Sequence, residues 1–169
     1  MPDDSLQSLL DHRAIEQLVI RYCRATDRRD WSAMAALYHE DAQDDHGALF
    51  QGSARDYIAW LPSMAQKLTA TWHQISNHCI EVRGDQAEGE VYILAWHLKP
   101  TKDSGNEQIV TGGRYLDRYE KRDGIWKFLR RKAVMDWNEV QPALMRWPAD
   151  GGHGAADPSH TWFEFLGKT

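Results

Sequence analysis

Basic residues are in short supply: 20 Lys and Arg stand against 25 Asp and Glu, a net charge of −5 with histidine neutral. A partner that neutralises phosphates needs the opposite balance, so nucleic acid is excluded. Cysteine is scarcer, with two in 169 residues. Cys23 and Cys79, both on elements predicted to be buried, form no paired metal motif and no disulfide framework, which suits a reducing cytoplasm. Met1-Pro2-Asp3-Asp4 is acidic and leads into no apolar signal segment, so a cytoplasmic location is expected. No apolar run approaches the roughly 20 residues of a membrane span, and no membrane partner is expected. A glycine-rich phosphate loop and a Gly-x-Ser-x-Gly elbow are missing, which counts against nucleotide binding and serine hydrolase chemistry.

Tryptophan is the exception, with eight in the chain. Trp31, Trp60 and Trp126 read as core packing, because indole buries a large area. Trp72, Trp96 and Trp137 stand beside polar candidates and read as walls of a pocket. At 42% hydrophobic and 27% charged, the chain has the composition of one ordinary globular domain.

Periodicity predicts helices first. Ile15, Leu18, Val19, Tyr22 and Ala25 recur at helical spacing, giving a helix over about 11–26 with Asp11 as its cap. A short helix over 31–37 follows Asp30, residues 40–47 read as a turn into a short extended segment, and a third helix spans 54–67 with Pro62 inside it. Strands are then predicted over 71–82, 87–98, 108–121 and 125–137, the last pair joined by the Arg122-Asp123-Gly124 turn. Helices followed by an antiparallel meander define an α+β fold, and Gly112-Gly113 would let its sheet curve. The domain is read as residues 1–141. Residues 142–169, rich in Pro and Gly and ending in Trp162-Phe163-Glu164-Phe165-Leu166, read as an arm or lid.

One acid and one histidine carry the chemical signal. Asp27 closes the first helix, where the helix dipole disfavours a carboxylate. His73 lies near the start of the first long strand. A carboxylate that orients an imidazole makes a general base. Strand alternation puts Ile75 and Asn77 on the face of His73, and it sets Ile93, Ala95 and His97 against Tyr92, Leu94 and Trp96. It also groups Tyr115 with Thr111 and Gly113. On the last strand Lys127, Leu129, Arg131 and Ala133 share one face, against Phe128, Arg130 and Lys132. Asp44 and His46 suggest a second polar cluster. No paired metal-ligand spacing occurs, and neither a metal nor a cofactor is expected.

The runs Arg13-Ala14-Ile15-Glu16-Gln17-Leu18, Tyr22, Asp27-Arg28-Arg29-Asp30-Trp31 and Leu37-Tyr38-His39-Glu40-Asp41-Ala42 resemble the opening of SnoaL-like proteins of the NTF2-like (cystatin-like) superfamily. Gly112-Gly113-Arg114-Tyr115 and the run from Tyr119 to Lys127 are similar to two of their strands. The resemblance implies an α+β cone: helices packed in a curved antiparallel sheet that encloses a pocket. Within the group the chain is most similar to the branch of scytalone dehydratase, bile-acid 7α-dehydratase and hexachlorocyclohexane dehydrochlorinase. That branch implies an Asp–His dyad falling on Asp27 and His73, a tyrosine falling on Tyr22 and an arginine falling on Arg131. Asp44, His46, Trp72, Asn77, Ile93, Trp96, Tyr115 and Trp137 are then the expected substrate contacts. The dehydrochlorinase has tryptophan where this chain has Asp44, and the bile-acid enzyme's arginine falls on Met135. The activity implied is cofactor-independent elimination of water, halide or formaldehyde from an aromatic or polycyclic small molecule. The alternatives are an isomerase or polyketide-type cyclase with the same base, or a non-catalytic subunit of a ring-hydroxylating oxygenase. A homo-oligomer is implied, a trimer before a dimer.

Overall fold

A computed structural model describes residues 6–103, 105–147 and 149–166. The chain begins with helix α1 (Leu6–Arg28), whose buried residues Ile15, Leu18, Val19, Tyr22 and Ala25 keep the predicted spacing. Asp11 is inside this helix and is not its cap. It is buried and accepts hydrogen bonds from Trp126 Nε1 (2.7 Å) and Lys121 Nζ, which tie the helix to the sheet. Helix α2 (Trp31–Ala36) is capped by Asp30, whose carboxylate accepts from the Ala33 amide. Helix α3 (Ala54–Ala65) is capped by Ser53 and contains Pro62.

Six strands form one sheet: β1 (Tyr38–Asp45), β2 (Gln51–Ser53), β3 (Ala70–Arg83), β4 (Gln86–Pro100), β5 (Asn106–Arg122) and β6 (Ile125–Pro142), in the order β2-β1-β6-β5-β4-β3. The four long strands make the predicted antiparallel meander. The segment read as a turn is β1, and it pairs parallel to β6. Its only apolar positions are Tyr38 and Ala42, four residues apart among polar ones, so hydrophobic alternation could not reveal it. The fold is the NTF2-like α+β cone. Residues of α1, α2 and α3 share one core with the inner-facing Val91, Tyr115, Tyr119, Trp126 and Phe128.

Besides an irregularity between Tyr38 and Gln43 in the pairing of β1, three register shifts bend the sheet and reset its alternation. In β3 the extra residue is Asn77, at φ 36, and after it His78 faces inward. In β6 the pairing steps from Phe128 to Arg130, so Phe128 and Arg131 both point inward. Opposite Gly112 and Gly113 it steps from Trp137 to Met135. A Cβ at Gly113 would overlap the Val134 carbonyl oxygen, so that close approach of strands requires glycine.

After β6 the chain carries a 3₁₀ turn (Gly154–Ala156) and helix α4 (Ser159–Trp162). It is tethered to the body by polar contacts, Asp157 to Arg28 (2.8 Å) and His153 Nε2 to the Thr69 carbonyl (2.9 Å). Its apolar residues Leu144, Trp147, Trp162 and Phe165 are exposed. Residues 148 and 167–169 of the predicted arm lie outside the described residues. No helix among the described residues is long and apolar enough to cross a membrane.

Candidate active site

The last turn of α1 and the first residues of β3 meet at Asp27. Its carboxylate accepts from the Thr71 hydroxyl (3.0 Å), the His73 backbone N–H (2.9 Å) and His73 Nδ1 (2.6 Å). These donors explain how a carboxylate is held at a helix C-terminus against the dipole. The side chains are largely shielded, 8% exposed for His73 and 14% for Asp27. A carboxylate on Nδ1 fixes the hydrogen there, so the neutral ring keeps its Nε2 lone pair.

His73 lines a cavity of about 420 Å³ enclosed between the helices and the sheet. The walls are mostly apolar: Trp31, Trp60, Leu61, Met64, Ile93 and Ile109 contribute. Polar groups converge on it from several elements, among them Tyr22, Arg29, His46, Tyr57, His97, Arg114 and Tyr115. This combination is the usual character of a small-molecule site. Two larger hollows, of about 800 and 760 Å³, have more polar linings and contain neither His73 nor His46.

A second acid–histidine pair serves the same cavity. His46 Nδ1 lies 2.5 Å from Asp44 Oδ1, and the other oxygen of Asp44 accepts from the Tyr38 hydroxyl at 2.7 Å. The Tyr57 hydroxyl is 3.2 Å from His46 Nε2 and 3.1 Å from the Tyr22 hydroxyl. Burial pushes the Tyr22 phenol up to about 12, with Arg131 opposing the shift and Asp44 adding to it. Burial likewise raises Tyr38, Tyr57 and Tyr115 well above the ordinary phenol range. All four are therefore neutral hydroxyls near neutral pH.

The expected site residues divide. Tyr22, His46, His73, Ile93 and Tyr115 line the cavity, while Asp27 and Asp44 sit directly behind the two histidines. Arg131 does not line it. Its guanidinium is fully buried, bound twice by Asp117 (2.8 and 2.7 Å), and lies about 4 Å from the ring centres of Tyr22, Tyr115 and Phe128. Any charge it lends the cavity acts through those phenols. Trp72, Trp96 and Trp137 are also outside. Trp72 pairs with Trp96 on the face opposite His73, and Trp137 packs over Gly112. Asn77 is exposed because it is the bulged residue. Cys79, expected to be buried, is exposed as well.

Sequence reasoning missed Tyr57, His97, Trp31 and Trp60 as cavity residues. His97 was within reach, since alternation already set it on the face of Ile93. Its ring meets that of His73 edge to face at 5.5 Å, and burial, then the neighbouring His73, depress its pKa to about 4. It is therefore neutral at pH 7. Among the described residues no group of three or more His, Cys, Asp or Glu is gathered to hold a metal ion.

Known proteins agree with this architecture. The gamma-hexachlorocyclohexane dehydrochlorinase of Sphingobium indicum is 25% identical over 137 residues, 78% of this chain and 85% of that one. A scytalone dehydratase-like protein of Novosphingobium aromaticivorans has 30% identity and a TM-score of 0.68, covering 83% of this chain and 96% of its own. A type 3 hexachlorocyclohexane dehydrochlorinase of Novosphingobium barchaimii, at 22% identity, superposes with a TM-score of 0.74 over 85% of this chain and 99% of its own. Residues 7–132 match the model of the SnoaL-like domain, and the chain belongs to that family.

Proposed function

We propose that this protein is a cofactor-independent lyase that acts on an aromatic or polycyclic small molecule. His73 Nε2 takes a proton from a substrate carbon. Asp27 holds the other ring nitrogen and stabilises the imidazolium. The observation that carries this is the 2.6 Å contact of Asp27 with His73 Nδ1, at the wall of a mostly apolar cavity. The mostly apolar wall keeps bulk solvent from a carbanion-like transition state, and fixed dipoles act more strongly there than in water. Tyr22 and Tyr115, both neutral phenols, are the candidate donors to a developing oxyanion. The lyase relatives support elimination as the reaction class.

The test is product mass for wild type and His73→Ala against hydroxylated, halogenated and lignin-type aromatic compounds. Loss of water, hydrogen halide or formaldehyde by wild type alone supports the lyase. Conversion at constant mass points to an isomerase or cyclase using the same base. Absence of any conversion, with stable capture by an oxygenase, points to a binding subunit.

We further propose that copies assemble through the outer sheet face, where Trp72, Tyr92, Leu116 and Trp137 are exposed, to form a homotrimer. Residues 142–169 are proposed to act as a separate arm. Sedimentation of the full chain and of a chain ending at Gln141 tests both ideas. A monomeric full chain contradicts the first, and unchanged assembly and turnover after truncation contradict the second.

A further inference from the structure

Resting on the lyase assignment above, we infer that the cavity carries a second, acid arm. Asp44, His46, Tyr57 and Tyr22 form a proton relay that protonates the leaving group, so the substrate class is one that expels an oxygen rather than a halide.

The geometry of the relay is directional. Asp44 is 1% exposed and has only donors around it, Tyr38 Oη and His46 Nδ1. The neutral His46 ring therefore carries its hydrogen on Nδ1 and offers the Nε2 lone pair. Tyr57 must then donate to His46, and Tyr22 must donate to Tyr57. Every hydroxyl hydrogen in the chain points toward His46, and none is available to a substrate. Protonating His46 reverses the order. Nε2–H then donates to Tyr57, Tyr57 donates to Tyr22, and the Tyr22 O–H is freed toward the cavity. The titratable groups facing His46 are Asp44 and Asp45 on β1, Tyr57 on α3 and Tyr115 on β5. Burying four polar side chains in a row costs desolvation that phenylalanines would avoid, and the row ends at the cavity.

The step balances. His73 Nε2 removes the hydrogen from carbon, and the C–H electrons form the double bond as the C–O bond breaks. The departing oxygen takes the Tyr22 hydrogen, Tyr22 is resupplied by Tyr57, and Tyr57 by His46 Nε2–H. The cycle ends with His73 protonated, His46 neutral and the oxygen released as water, an alcohol or a phenol. Solvent returns the proton from His73 to His46. A halide leaves as a stable anion and needs no such arm. An alkoxide or hydroxide does.

The probes are 3-hydroxy-1-phenylpropan-1-one and 3-chloro-1-phenylpropan-1-one, which share an acidic carbon hydrogen and a common alkene product. In the full chain, His46→Gln and Tyr57→Phe are expected to lower the ratio of hydroxy to chloro turnover by about 100-fold, the scale of one general acid. The ratio of elimination to deuterium exchange at the carbon should fall equally. Equal losses on both probes would overturn the relay. Nitrogen-15 histidine NMR gives an answer even where wild type turns over neither probe. His46 with hydrogen on Nδ1, and a protonation midpoint that moves in Tyr57→Phe, supports the relay. Hydrogen on Nε2, or a midpoint insensitive to Tyr57, overturns it. Failure of the lyase assignment is read separately, as carbon exchange that survives His73→Ala.

Discussion

Replacing Asp27 by asparagine tests how the fold makes a base out of His73. Asp27 accepts from the Thr71 hydroxyl, the His73 amide and His73 Nδ1. Asparagine has one oxygen for positions that now need two. The Thr71 hydroxyl can rotate away, but the backbone amide at 2.9 Å cannot change its character. The amide oxygen therefore turns to the His73 N–H, and the NH₂ group faces Nδ1. Two donors cannot meet there, so the imidazole moves its hydrogen to Nε2, and the ring presents N–H to the cavity where it had a lone pair. Loss of a general base of this kind costs about 10²–10⁴ in turnover. Stability changes less. Hydrogen bonds to a charged group are worth about 1.5–3 kcal/mol and neutral ones about 0.5–1.5, so three weakened bonds lose about 3 kcal/mol. Relief of the helix C-terminus returns about 0.3–1 kcal/mol. The net expectation is about 2 kcal/mol in urea unfolding, with the chain folded and the His73 tautomer switched by NMR. Turnover within tenfold of wild type in a folded Asp27→Asn protein would refute the reasoning.

Other expectations follow from the surroundings of the site. Asp117→Asn leaves the buried Arg131 charge uncompensated and should cost about 3–5 kcal/mol in chemical denaturation; a change below 1 kcal/mol would mean the guanidinium is solvated. His97 has a folded pKa near 4 against 6.5 for the free side chain, so the unfolded chain binds more protons between those values. Its contribution is complete above about pH 6.5 and is lost as pH falls toward 4, about 3 kcal/mol in all. Unfolding of wild type and His97→Asn at pH 7 and pH 4 measures this, and equal pH dependence in the two proteins would contradict it. Gly113→Ala forces a methyl against the Val134 carbonyl and should cost about 1–3 kcal/mol in thermal unfolding, whereas Gly124→Ala, with open space, meets only backbone strain.

The fold was legible where pattern and packing agree. The apolar stripe of α1, the start of α2 after Asp30 and the four long strands all follow from local chemistry. Sequence reasoning failed at the bulges, because one extra residue inverts every face beyond it. Asn77 went to the wrong side for that reason. The expected grouping of Arg131 against Phe128 broke at Leu129, the residue skipped in the pairing of β6 with β5. Tryptophan misled in both directions. Trp31 and Trp60, read as core, wall the cavity, while Trp72, Trp96 and Trp137, read as walls, lie outside it. Indole size signals burial against something, and only the topology decides what. Asp27 was visible as an acid at a helix end against its dipole, and the three donors that hold it come from a strand far along the chain. Tyr57 gave no signal of its own, because a tyrosine on the apolar stripe of α3 looks like core until His46 is seen beside it.

The central claim is that His73 removes a proton from carbon. The most direct test is turnover of a substrate found by product mass, compared between wild type and His73→Ala at equal folded concentration. A fall of about 10²-fold or more, with carbon–deuterium exchange abolished, is the predicted result. Near-normal turnover by His73→Ala would contradict it.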